Sequence, residues 1–375
     1  MKKIIALLLT LAALLTLAGC KNKVYEPVES TDEEAETVLT MTFGNKTYEV
    51  RYELYRALFL TYRDEVDGGK RDVWSGPEKD KYISEIQAII ISRAADIYST
   101  FALAESLGID PYSTEIGKKV NEYVNMSVDG GDINGVSYTG YESYEAYLEA
   151  LEALYLNYSV QTLLFRYAIV ADKIDEYYMG SLTEDSLENG STENHDGALK
   201  YTKDDVLAFY NSDSCVRVLR TFVSEDMDLD PKSRAERVRS AILAVASGGE
   251  SAVRKEMITQ GSTTSVPELE AGYVIAEHNL SKSYYSAMVD AAFSIKEGEL
   301  SEVIPVHDGN KMAYYVLYRT AKSAEHFEAN YPAITYVYLR NEIGKQYDAT
   351  AKAMISTATA TDVLSSLDHS AISMK

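Results

Sequence analysis

Cysteine is nearly absent. Only Cys20 and Cys215 occur in 375 residues, so no disulfide framework is possible once Cys20 is otherwise engaged. Cys215 precedes an apolar run, the setting of a buried thiol rather than a nucleophile. Histidine is also scarce. The five, at 195, 278, 307, 326 and 369, show no ligand spacing, and no metal or cofactor is expected. There is no glycine-rich phosphate loop and no nucleophile elbow. Basic residues are in deficit, 36 against 58 acidic, for a net charge of −22. That excludes nucleic acid, whose phosphates need Lys and Arg, and it argues against docking on anionic lipid by charge. The many carboxylates read as a solvated acidic surface, with no pair standing out as an acid/base couple. Tryptophan occurs once and phenylalanine 8 times.

Tyrosine, by contrast, occurs 30 times. At this length two or three domains are allowed, and burying a core is no difficulty. The chain begins with Lys2 and Lys3, then an apolar stretch from Ile4 to Leu17. That stretch is too short for a comfortable membrane span and ends in small residues, so it reads as a targeting segment. Leu17-Ala18-Gly19-Cys20 resembles a bacterial lipobox. The resemblance implies that Cys20 is lipidated and becomes the first mature residue, anchored at the outer, extracytoplasmic face of the cell membrane. Residues 21–37 are polar and acidic and read as a flexible tether.

Residues 38–52 have the pattern of a hairpin turning at Gly44-Asn45-Lys46. Helices follow. Leu54, Leu58, Tyr62 and Val66 recur at fourfold spacing, and Ile86, Ile90, Ala94, Ile97, Phe101 and Ala104 mark one face of a helix over 82–107. A third helix is expected over 114–126 and a fourth over 144–178, broken near Asn157. The segments Gly44-Asn45-Lys46-Thr47-Tyr48 and Ala102-Leu103-Ala104-Glu105-Ser106-Leu107-Gly108-Ile109 resemble the N-terminal domain of SurA- and PrsA-type extracytoplasmic chaperones, here spanning 38–185.

A polar linker, 186–202, leads to a helix start capped by Thr202, a strand over 215–223, helices over 231–246 and 251–259, and a short strand ending at Ala276. Met288, Ala291, Ala292 and Ile295 then share a helical face, with Gly298 placed to close that helix. Two strands joined at His307-Asp308-Gly309-Asn310 complete the run. Ala291-Ala292-Phe293 and Gly298-Glu299-Leu300-Ser301 resemble the C-terminal half of parvulin-type peptidyl-prolyl isomerase domains, and the resemblance covers 203–323. It implies two histidines on central strands over an apolar proline pocket. Neither histidine is present: Arg220 and Tyr314 stand at those positions. Tyr284 and Met288, four apart on one helical face, stand where the resemblance places the apolar floor under proline, and Phe222 and Tyr315 face the same peptide-binding groove or the core; for all four, plain core packing is the alternative. Residues 326–358 are expected to form a last helix, with Pro332 in its first turn, that packs on the N-terminal domain.

The expected fold is α+β and mostly helical: a SurA-like helical chaperone domain with an inserted parvulin-like α/β domain. The resemblances imply a lipid-anchored protein-folding factor whose isomerase module is degenerate, with unfolded or newly secreted chains as its partners. The alternatives are an active isomerase with an altered site and a surface scaffold lipoprotein with one fixed partner.

Overall fold

The structure, a computed structural model, describes residues 25–133, 136–182, 196–260, 272–278, 282–308 and 311–374. Cys20 and His195 lie outside the described residues, as does most of the expected linker. The fold is mostly helical with small antiparallel sheets. The described residues form two compact units, one built from 25–174 together with those after 345, the other from 175–345. Among the described residues no helix is long and apolar enough to cross a membrane.

The first unit opens with the hairpin β1 (Thr37–Phe43) and β2 (Lys46–Arg51), turning at Gly44-Asn45. Helix α1 (Tyr52–Asp67) follows directly, and Leu54, Leu58 and Tyr62 of its repeating face are buried. Helix α2 (Lys79–Ser106) buries all six residues of its apolar face, with Ile86, Ile90 and Phe101 fully inaccessible. Helix α3 (Thr114–Asp129) starts at Ser113, whose hydroxyl accepts from the Ile116 amide. A short ribbon, β3 (Gly131–Ile133) with β4 (Val136–Tyr138), was not anticipated. The expected break near Asn157 is real: α4 (Tyr144–Ala153) and α5 (Tyr158–Met179) are separate helices. Asn157 caps α5 through its Oδ1, 2.8 Å from the Val160 amide.

In the second unit, α6 (Lys203–Asn211) begins with a capping box between Thr202 and Asp205. The chain continues through β5 (Cys215–Ser224), α7 (Pro231–Val245), α8 (Gly249–Thr259), β6 (Tyr273–Ala276), α9 (Lys282–Ser294), β7 (Ile304–Asp308) and β8 (Lys311–Thr320). The strands make one antiparallel sheet in the order β6-β5-β8-β7. Strand residues alternate between its faces. Val216, Val218, Ala313, Tyr315 and Leu317 pack with Met288, Val289 and Ala292 of α9. Leu219, Val223, Val316 and Tyr318 pack against α7 and α8 through Ala235, Val238, Ile242, Val253 and Met257. With both faces covered, β5 is buried almost along its length. Gly298 does take a left-handed conformation, with φ +85°. However, α9 has already ended at Ser294, and Gly298 closes a turn whose amide donates to Arg319 O at 2.8 Å.

The expected last helix is two: α10 (Ala324–Ala329) and α11 (Tyr331–Ser356). The division between the units falls within α11, after Lys345. Phe327 and Ile334 pack with Val206, Phe209, Tyr210, Cys215 and Ala276 of the second unit. The residues after 345 belong to the first unit, where β9 (Thr359–Ala360) pairs with β1 at Leu39 and Thr40. Helix α12 (Asp362–Ser366) leads to His369.

His369 is 5% exposed, against Phe59 and the Tyr55 ring. Its Nδ1 lies 3.1 Å from Leu367 O, which can only accept, so Nδ1 carries the proton. Nε2 then accepts from Tyr55 Oη at 2.8 Å. Burial holds this imidazole below the ordinary histidine pKa. The unfolded chain therefore binds the proton more readily, and stability falls as pH drops below the unfolded value of about 6.5. The melting temperature of the first unit is expected to fall between pH 7.5 and 5.5. In His369→Gln it should start lower and change less over that range; identical pH profiles would contradict this account.

Candidate functional site

The sheet face under α9 gathers most of the residues singled out in the sequence. Phe222 and Tyr315 are paired across β5 and β8. Their rings stack with centroids 5.3 Å apart and planes at 27°. Phe222 is half-buried, whereas Tyr315 is 6% exposed. Arg220, two residues before Phe222 on the same face, lays its guanidinium 3.7 Å from the centroid of Tyr273 on β6. Arg220 Nε is buried and has no hydrogen-bond partner among the described residues.

Tyr314 is not part of this face. Its β5 partner is Val223, and it packs among Leu219, Val223, Val316 and Tyr318 toward α7 and α8. Arg220 and Tyr314, the two positions implied for the missing histidines, therefore project from opposite sides of the sheet and cannot act on one substrate. Successive strand residues face opposite sides, so Tyr315 and not Tyr314 shares the face of Arg220 and Phe222. Leu317 lies directly across from Arg220. Neither strand places an imidazole beside the Phe222–Tyr315 stack, since no histidine occurs between Ser212 and Phe222 or between Lys311 and Thr320.

Of the two readings of Met288, pocket floor and core, the structure shows the core. Met288 is 5% exposed and sits in the core with Val218, Ile275 and Leu317, so it is a packing residue and not an open pocket floor. The Tyr284 side chain lies outside the described residues, and so does that of His307. Cys215 is fully buried, with Sγ 3.4 Å from Phe209 O. Burial pushes its thiol up to about 11, which removes it as a nucleophile near neutral pH. Among the described residues no cluster of His, Cys, Asp or Glu could hold a metal ion.

Sequence reasoning missed Tyr273. It lies in the short strand expected up to Ala276, but only the β5–β6 pairing brings it under Arg220.

No family model matches the chain, and no curated protein matches it. Solved structures do. The foldase protein PrsA from Streptococcus pneumoniae is 10% identical over 78% of this chain and 90% of its own, with a TM-score of 0.28. The PrsA foldase from Lactococcus lactis is 13% identical over 90% and 99%, with a TM-score of 0.23.

The chemistry open to the sheet face is limited. Among the described residues it offers the Arg220 cation over Tyr273, the stacked Phe222 and Tyr315 rings and an apolar bed. Arginine stays protonated and presents only donors, so Arg220 can bind a carbonyl or an anion but cannot accept a proton. The arrangement suits holding a segment of chain.

Proposed function

We propose that this chain is an extracytoplasmic protein-folding factor, lipid-anchored at Cys20, that holds segments of unfolded or newly secreted proteins. Its 203–323 module is a degenerate parvulin-like domain with little or no isomerase activity. The reading is carried by the Arg220–Tyr273 and Phe222–Tyr315 face, where aromatic and apolar surface is combined with the loss of both expected histidines. The lipobox-like Leu17-Ala18-Gly19-Cys20 and the strand order β6-β5-β8-β7, interleaved with helices, are consistent with it.

Rotation about a prolyl bond is opposed by amide resonance and takes tens to hundreds of seconds uncatalysed. A face that binds ground and transition states equally leaves that barrier unchanged. The full mature chain is therefore expected to suppress aggregation of several unrelated clients while turning over proline peptides at close to the uncatalysed rate. Arg220→Ala should leave turnover where it was. Fast turnover by the wild-type chain would overturn the non-catalytic reading. Suppression confined to a single partner would replace the folding factor by a scaffold.

A further inference from the structure

The first unit contains a cleft of about 400 Å3, remote in sequence from the sheet face just described. Its walls are β2, the start of α1, Tyr98 of α2, Tyr112 in the following turn and the first turns of α5. Its acidic neighbours are engaged by the chain. Glu49, in the lining, accepts from Thr37 Oγ1 at 3.2 Å. Glu105 is paired with Lys46 and accepts from Tyr48 Oη at 2.6 Å. Glu53, buried at 4% exposure, accepts from Ser159 Oγ at 2.6 Å and Asn157 Nδ2 at 3.0 Å.

The guanidinium groups are not satisfied in this way. Arg51 and Arg166 both line the cleft, and neither has a carboxylate within ion-pair distance among the described residues. Most arginines of this acidic chain do, including Arg56 with Glu34, Arg217 with Glu250 and Arg340 with Asp175. Arg166 donates one N–H to Pro111 O at 2.7 Å and lies 4.9 Å from the Tyr112 ring centroid, which orients the group without neutralising it. No further hydrogen bond of its guanidinium is formed among the described residues. Arg51 is exposed at the end of β2. Arg51 and Arg166 line the same cleft as Tyr112, as does Lys46, whose charge is already paired with Glu105. Tyr98, Leu54, Val160 and Leu163 supply an apolar lining beside them.

We propose that this cleft binds a carboxylate carried on an apolar or aromatic body. Arg51 and Arg166 hold the carboxylate, and the body rests on Tyr112, Tyr98 and Leu163. A carboxylate suits the planar fork of a guanidinium, and an apolar body explains why two cations sit among rings and aliphatic side chains. The site does not depend on the sheet-face reading above: either can fail alone.

Such a carboxylate could be the free end of a polypeptide or a small organic acid, and three probes separate these. They are a hexapeptide ending in phenylalanine with a free carboxyl, the same peptide as its amide, and 3-phenylpropionate. Binding to the full mature chain is measured by titration calorimetry. The free-acid peptide is expected to bind, and the amide to bind about tenfold or more weakly, as the loss of a charge-assisted contact implies. Binding of 3-phenylpropionate as tightly as the peptide acid would identify a small-acid site; binding of the peptide acid alone would identify a chain-terminus site. Arg51→Gln and Arg166→Gln should each weaken the acid probe about tenfold. Arg51 is exposed, so Arg51→Gln should do so with an unchanged melting temperature even if Arg166→Gln perturbs the turn at Pro111. Equal binding of acid and amide, or Arg51→Gln binding like wild type, would overturn the proposal.

Discussion

Met288→Glu is expected to unfold the 175–345 unit. The side chain is 5% exposed and packed among Val218, Ile275 and Leu317, so a carboxylate there would be buried among apolar side chains. Burying an unpaired charge costs several kcal/mol, a large share of the roughly 5–15 kcal/mol that holds a domain together. Met288→Leu keeps volume and polarity and should cost less than about 1.5 kcal/mol. Hydrogen exchange reads the difference. In Met288→Glu the amides of β5 and β8 should lose protection while those of α2 keep theirs, and Met288→Leu should match wild type. The outcome also separates core from binding surface. A Met288→Glu protein that stayed fully protected and lost only peptide binding would place Met288 in an open groove and refute the packing described here.

Gly344→Ala should destabilise the same unit, although helix propensity alone argues the opposite. Alanine inside a helix is favoured over glycine by about 1 kcal/mol. At Gly344, in α11, an added Cβ would stand 1.9 Å from the carbonyl oxygen of His278, closer than any real contact. That oxygen is backbone, so the turn after β6 must move. The turn is also held from its other side: the His278 amide donates to Oδ1 of Asn341, a fully buried side chain, at 3.1 Å. Overpacking of this kind costs about 1–3 kcal/mol, and a strained or lost bond to a buried amide adds about 1 kcal/mol. A net loss of about 2 kcal/mol is expected after the helix gain is subtracted. Urea unfolding of the two proteins measures it. A midpoint shifted upward in Gly344→Ala would show that α11 and the turn do not approach in this way.

The two substitutions bear on how far the sequence could be read. The helical face from Ile86 to Ala104 was legible because a side chain recurring every three or four residues has one direction to face, and all six are buried. The break at Asn157 was legible too, because asparagine competes for the backbone and favours a helix start. The site was not legible to the same degree. Tyr314 and Tyr315 are both aromatic neighbours in an apolar run, and nothing local says which faces α9. Only pairing with β5 decides it, setting Val223 opposite Tyr314 and Phe222 opposite Tyr315. A helical stripe such as Met288, Ala291 and Ala292 similarly reports that a face is apolar, not whether chain or ligand will cover it.

By itself the sequence determined the local features: the acidic net charge, the helices and their caps, the strands around 215 and 312, and the absence of histidine from those strands. These depend on neighbours within a few residues, where spacing and composition act directly. The tertiary structure alone decided which side chains meet. It joined Arg220 to Tyr273 across two strands, separated Tyr314 from Arg220 through the thickness of a sheet, and brought Arg51, Tyr98, Tyr112 and Arg166 to one cleft from four segments. Those juxtapositions rest on strand register and helix packing between distant parts of the chain. Many sequences with the same local periodicity satisfy them differently, so no local pattern encodes them.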